Sequence, residues 1–431
     1  MATLTSRKLY IDGKTLSRGI AYLVVLSPFC FALMEMLGLS GIMKLVVDCL
    51  WLCLAVLPVL RGKLNIKRKM LPLVIIVALF VVDTLLVYLF RFQSPFYYLW
   101  GFRNYFRFYV LFFSITAYWS EEDCGHCFRW FDNLFWVNAV LCLVQFFMGY
   151  KQDYMGGMFG VTKGCNGDMI VYLCIVVCKT LLSYMNGTAS TFSCLSKSAA
   201  SLIIAAMAEL KFFFFVFILM MLMAMVLTSF SFKKMIFLML GTVLISVTAP
   251  VLGSINESFQ GFLSIDTLVD ALTRTNYASS VDMGRFNGID VISKRFLTDI
   301  PSRLFGMGLG NCDVSSFSIF STPFYAAYRD LHYAIFSYAF MFIENGYVGL
   351  ILYVLFFVVC LVRAWKRFKS GTGNKLFSQM AIIISTMCFM LIFYNSSLRT
   401  EAGFMIYFVL ALPFIDSDAP KQLNQGERVS K

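Results

Sequence analysis

Apolar runs of about 20 residues, the length that crosses a bilayer core, recur along the chain between short polar segments. They predict spans at about 19–38, 42–60, 70–90, 104–119, 131–149 and 169–186. Basic short loops mark the cytoplasmic side of a membrane protein. Arg7, Lys8, Lys14 and Arg18 therefore predict a cytoplasmic tail over 1–18. The cluster from Arg61 to Lys69 predicts a cytoplasmic loop after a tight first hairpin. The acidic turn Glu121-Glu122-Asp123 then falls inside, and 91–103 and 150–168 fall outside.

Residues 191–230 fit one long helix or two. One helix would leave the basic run from Arg363 to Lys369 outside, against the charge rule, so two spans are predicted at about 191–210 and 212–230. A ninth span at about 235–253 leads to the longest polar segment, which with a short helix makes an external loop over 254–345. Residues 332–343 are apolar, but a dozen residues make only about 18 Å of helix, so they predict a half-buried helix opened by His332 and interrupted at Glu344-Asn345-Gly346. Spans at about 346–363, 376–396 and 402–416 complete about 12 crossings, and 417–431 forms a second cytoplasmic tail. The expected fold class is an all-α polytopic membrane protein with one large external loop containing short helices.

Composition narrows the field. The chain is 59% hydrophobic and 14% charged, where soluble domains carry roughly a quarter charged residues. A water-soluble fold is excluded, and with it disorder and nucleic-acid binding; the solvent is a lipid bilayer. The net charge of +12 reports the cytoplasmic loops. Most of the 13 cysteines lie inside apolar stretches, where a thiol acts as a small hydrophobe, so no disulfide framework is expected.

The external loop gathers Arg274, Arg285, Lys294, Arg295, Arg303 and Arg329. Arginine forks match phosphate oxygens, so the cluster suggests an anion site, although a solvated, salt-bridged surface accounts equally for any single residue. Gly306-Met-Gly-Leu-Gly310 is a glycine-spaced turn that lets backbone approach a ligand or another element. His332, beside Arg329 and Asp330 at the water–membrane boundary, is a candidate base or a helix-capping histidine. His126 lies in Cys124-Gly-His-Cys127, the spacing of thiol oxidoreductases, but in a short acidic loop without the βαβ context of that chemistry. Glu35, Asp48 and Asp83 fall in the outer halves of their spans and suggest an outward vestibule, joined by Arg91, Arg103, Glu209 and Lys211; local pairing, such as Lys44 with Asp48, is the alternative. No ligand cluster with metal spacing occurs outside, and neither a metal nor a cofactor is expected.

Several patterns resemble the O-antigen polymerase and ligase superfamily of bacterial membrane glycosyltransferases. Gly157-Met-Phe-Gly160 through Asn166 and Tyr172-Leu173 resembles a glycine–aromatic–asparagine entry into a span, and Ala208-Glu-Leu-Lys211 resembles a basic outer end. Arg295, ten residues and then Gly306 resembles a polymerase loop pattern. The closest resemblance is the order Gly284-Arg285, Phe305-Gly-Met-Gly308, His332 and Gly346-Tyr-Val-Gly349. The resemblance departs at Tyr333, where a polar neighbour is usual, and in having the arginine pattern once rather than in two loops.

The resemblance implies a metal-independent, inverting polymerase of the bacterial cytoplasmic membrane. It would join undecaprenyl-diphosphate-linked oligosaccharides into O-antigen or capsule, with a chain-length regulator protein as a further candidate partner. Arg285 and Arg295, supported by Arg303 and Lys211, would bind the diphosphate, and His332 or Asp330 would take the acceptor's proton. A ligase using the same donor, or a non-enzymatic flippase, are the alternatives; no internal repeat of the transporter kind is visible.

Overall fold

The computed structural model describes residues 13–60, 67–229, 241, 283–313, 315 and 317–416. Every regular element among them is helical. Seven helical stretches are long and apolar enough to cross a membrane: Gly13–Met36, Ser40–Leu60, Arg68–Phe90, Glu121–Phe147, Asn166–Met185, Ser337–Ser370 and Lys375–Tyr394. Helices Thr191–Met207 and Lys211–Val226 and the stretch Gly403–Phe414 are apolar but shorter. The expected span at 235–253 and Arg274 lie outside the described residues.

The first stretch is α1 (Gly13–Leu26) and α2 (Phe31–Met36), joined by a 3₁₀ turn at Ser27-Pro28. Then come α3 (Ser40–Leu60), α4 (Leu71–Phe90), α5 (Pro95–Tyr118), α6 (Glu121–Phe147), α7 (Asn166–Met185), α8 (Thr191–Met207) and α9 (Lys211–Val226). Prolines at the first turns of α4 and α5 cost no hydrogen bond there. Ser120 and Asp123 form a reciprocal capping box that starts α6. The chain turns between α8 and α9 at Glu209, whose φ of 51° breaks the helix. After the undescribed stretch follow the short helices α10 (Gly288–Arg295), α11 (Ile300–Phe305) and α12 (Pro323–Tyr328), then α13 (Ser337–Ser370), α14 (Lys375–Tyr394) and α15 (Gly403–Ala411).

Helix α7 is buried along most of its length, as are α14 and α15. Helices α3 and α4, by contrast, turn Leu45, Leu52, Val59, Leu79, Leu86 and Phe90 outward, each at least about half exposed. An apolar core surrounded by an apolar exterior is the arrangement a bilayer demands.

Three boundaries differ from expectation. Helix α5 begins at Pro95 rather than near 104 and continues through its polar residues, with Gly101 packed against backbone at Gly310. The acidic turn at 121–123 and the Cys124–Cys127 motif are the first turns of α6 rather than a loop; both thiols are fully buried, and His126 Nε2 lies 3.6 Å from the Glu122 carboxylate. The segment expected as a half-buried helix starting at His332 begins instead at Ser337, and Ser337 through Gly346 are all buried. This segment continues into the long part of α13 through one non-helical residue, Gly346, with φ 60° and ψ −160°.

Contacts sort the helix ends into two groups. Arg18 donates to the Tyr118 carbonyl at 2.7 Å and lies 3.5 Å from Asp123. Lys67 donates to the Thr116 carbonyl at 3.2 Å and pairs with Asp416 at 2.7 Å. Arg367 reaches the Ile415 carbonyl at 2.5 Å and Glu121 at 3.4 Å. These residues share one end of the bundle. Arg103 and Arg399 lie toward the other, and Arg107 is midway along α5.

Candidate functional site

Arg103 and Arg107 are four residues apart on α5 and share one face. Arg103 Nε donates to both carboxylate oxygens of Asp48 at 2.9 Å, and its Nη1 to Asn104 at 2.6 Å. Asp48 also accepts from the Trp51 indole at 3.0 Å, so its ion pair is with Arg103 and not with Lys44. Asn104 in turn hydrogen-bonds Asp313, which carries the network into the loop.

Arg107 is only 2% exposed. Its Nη1 meets Glu401 at 3.1 Å and its Nη2 the Arg399 carbonyl at 3.1 Å, while its guanidinium lies 4.8 Å from the ring centre of Phe108 and 5.2 Å from that of Phe404. Burial pushes the Glu401 carboxyl upward, but Arg107, Lys44 and Arg103 outweigh it and hold the group at about 2. Next to Glu401, Thr400 hydrogen-bonds Asp168 at the start of α7. Arg399 lies 3.6 Å from the centre of the Phe340 ring and donates to the Ala334 carbonyl at 2.8 Å, two residues beyond His332. A compact set of cations and carboxylates thus joins α3, α5, α7 and the 395–402 turn to the loop.

The sequence-selected residues are distributed around this set. Arg285 stacks on Tyr394 at 5.0 Å. Arg295, exposed, ends α10. Arg303 is committed to backbone, with Nε on the Leu297 carbonyl at 2.9 Å and Nη2 on that of Ser293 at 3.5 Å, which ties α11 to α10. Lys211 opens α9, near Asn166, whose side chain donates to the Ala208 carbonyl at 3.1 Å. His332 is partly buried with φ 57°, between the 3₁₀ turns Arg329–Leu331 and Tyr333–Ile335, so it does not cap α13. Asp330 is 95% exposed and 3.8 Å from Arg329.

Glu35, Asp48 and Asp83 are occupied in three different ways. Glu35 accepts from Val161 N at 2.6 Å and Thr162 Oγ1 at 2.9 Å, clamping the loop before α7. Asp48 is paired as described, and Asp83 on α4 is buried with Oδ2 lacking a hydrogen-bond partner.

The glycine turn approaches protein. Gly306 and Gly346, both at positive φ, meet backbone to backbone: a Cβ on Gly346 would overlap the Leu304 carbonyl, and one on Gly306 the Glu344 carbonyl. Met307 N and Gly308 N donate to the carbonyls of Ile343 and Glu344 at 2.9 and 2.8 Å, and the Glu344 side chain accepts from Cys312 N at 3.1 Å. An open depression at the same end is lined by Lys151, Gln152, Asp153, Tyr154, Lys163 and Glu209. Among the described residues no three His, Cys, Asp or Glu side chains are grouped to hold a metal.

No protein-family model and no curated protein matches the chain. Arg107, Asp168, Glu344, Arg399 and Glu401 were missed by the sequence criteria. Arg107 carried a usable signal, since an ionisable residue inside a predicted span usually faces a partner or cavity.

Proposed function

We propose that the chain is a membrane glycosyltransferase that polymerises lipid-diphosphate-linked oligosaccharide repeat units on the outer face of a bacterial cytoplasmic membrane. In this reading α5, α8 and α9 also cross, the 402–416 segment carries the chain from the 395–402 turn back to the cytoplasmic end, and with the 235–253 span there are about 12 crossings, with both termini cytoplasmic. The observation that carries the proposal is the bond from Arg399 to the carbonyl of Ala334, which couples a buried arginine–carboxylate set at one end of the bundle to the turn bearing His332. A diphosphate at a bilayer surface calls for such cations, and each preorganised donor stabilises developing leaving-group charge by about 3 kcal/mol.

Arg285, just before α10, and Arg295, exposed at its end, are the proposed diphosphate ligands, and Arg303 ties α11 to α10 beside them. Arg103, Arg107 and Arg399 hold the loop in place. His332 removes the proton from the acceptor hydroxyl as that oxygen attacks the anomeric carbon and the lipid diphosphate departs, inverting the centre; such a base contributes about a hundred- to ten-thousandfold.

The test is elongation of a lipid-diphosphate glycan by the purified protein in nanodiscs, read as a ladder on a gel beside a donor-binding assay. Arg285→Ala and Arg295→Ala should lose the ladder and donor binding; His332→Ala should keep binding and slow turnover. Undiminished ladders from all three variants would refute the assignment. Single transfer of a finished glycan to another lipid would make the protein a ligase.

A further inference from the structure

Helix α11 carries an apolar face that the described residues leave partly open. Ile300 and Leu304, one helical turn apart, are 72% and 39% exposed, and the adjoining Phe305 is 41% exposed. The opposite side is fixed. Asp299 caps the helix by accepting from Ser302 N at 3.0 Å, and Arg91 at the end of α4 donates to Ser302 Oγ at 2.7 Å. The Leu304 backbone also rests on Gly346, where the long part of α13 begins.

These contacts fix the height of α11 relative to two spans. It lies level with the last turn of α4 and the first turn of α13 beyond Gly346. Both neighbours are apolar and outward-facing there: Leu89 is 56%, Phe90 78% and Phe92 95% exposed on one side, Tyr347 38% and Ile351 61% on the other. The exposed face of α11 therefore lies at the level where these spans present apolar side chains outward. Phe92 holds φ 48° with its ring in the open, a poor arrangement in water and an ordinary one for an aromatic at a headgroup boundary. Arg91 and Arg295, both exposed on segments next to α11, offer positive charge to phospholipid phosphates, while Lys294 pairs with Asp290 at 2.8 Å and Asp299 is exposed beside Ile300.

We propose that α11 is a membrane-surface anchor, with Ile300, Leu304 and Phe305 seated among the phospholipids of the leaflet at this end of the bundle. Its occupant is the bilayer itself, not a second protein chain, because the patch stands level with the outward-facing apolar ends of α4 and of the long part of α13. The proposal does not depend on the glycosyltransferase reading. It would hold Arg295 at headgroup level whatever that residue binds.

The test places a photoreactive diazirine analogue of leucine at Leu304, and separately at Ile300, in the full chain reconstituted into nanodiscs of phosphatidylethanolamine and phosphatidylglycerol. The probe is nearly isosteric, and Ile300 is exposed enough to accept it should position 304 fold poorly. After irradiation, mass spectrometry separates phospholipid adducts from water adducts. Leu86, on the lipid face of α4, supplies the lipid reference, and Asp290, 61% exposed on α10, the aqueous one. A lipid-to-water adduct ratio at 300 and 304 about tenfold or more above that at 290 is expected for an interfacial helix. Water adducts alone, or cross-links only to protein, would overturn the proposal.

Discussion

Removing Arg107 should unfold the bundle more readily than any surface change, and the size of the effect follows from the geometry. At 3.1 Å and an effective dielectric of about 20, its attraction for Glu401 is about 5 kcal/mol. Burial raises the Glu401 carboxyl, but Arg107, Lys44 and Arg103 together hold it at about 2 rather than 4.5, a net contribution of about 3 kcal/mol of which Arg107 supplies the largest favourable part. Arg107→Met leaves that carboxylate 14% exposed without its guanidinium, so a loss of about 3–5 kcal/mol is expected. Glu401→Met should cost a similar amount, yet the double replacement should cost less than either, because two uncompensated charges become two apolar side chains.

The midpoint of unfolding by sodium dodecyl sulfate in mixed micelles reads all four proteins. A depressed carboxyl contributes stability that is complete above about pH 4.5 and disappears as pH falls toward 2; Glu401→Gln should flatten that decline. Additive losses in the double variant, or an acid limb unchanged in Glu401→Gln, would refute the coupling.

Two further outcomes are expected. Asp132 on α6 pairs with Lys179 on α7 and, at 2.5 Å, with Lys197 on α8, so Asp132→Asn should cost about 3 kcal/mol whereas Lys197→Met, which leaves one balanced pair, should cost under about 1 kcal/mol by the same measurement. Gly346→Ala should destabilise by about 2 kcal/mol or more, since alanine strains at its φ of 60° and its methyl overlaps Leu304, while Gly371→Ala, with nothing near its would-be Cβ, should show only the conformational part of that loss.

The apolar runs made most helix positions readable, and charge placed the turn between α8 and α9 near Glu209, where the chain reverses. Helix α5 was misjudged at its start for a physical reason. Arg103 and Asn104 lower the apolar signal, and the groups that satisfy them, Asp48 and Asp313, lie 55 and 209 positions away in the chain. No local pattern encodes a partner at that separation. Arg107 and Glu401, 294 positions apart, were invisible as a pair for the same reason. His332 does not open a helix, because it sits between two 3₁₀ turns and the apolar residues after it pass through the second, Tyr333–Ile335, before α13 begins.

The glycine-rich turn gains its meaning from the break in α13. A helix interrupted at Gly346 leaves the carbonyls of the preceding turn without their usual donors, and beside a bilayer such groups must find partners within the protein. Met307 N and Gly308 N supply two of those donors, and Cys312 N completes the contact through the Glu344 side chain. A side chain at Gly306 or Gly346 would hold the two backbones apart and cancel these bonds. The turn and the break therefore require each other. The arginines of α10 and α11 are thereby carried on a segment bonded to the helical bundle.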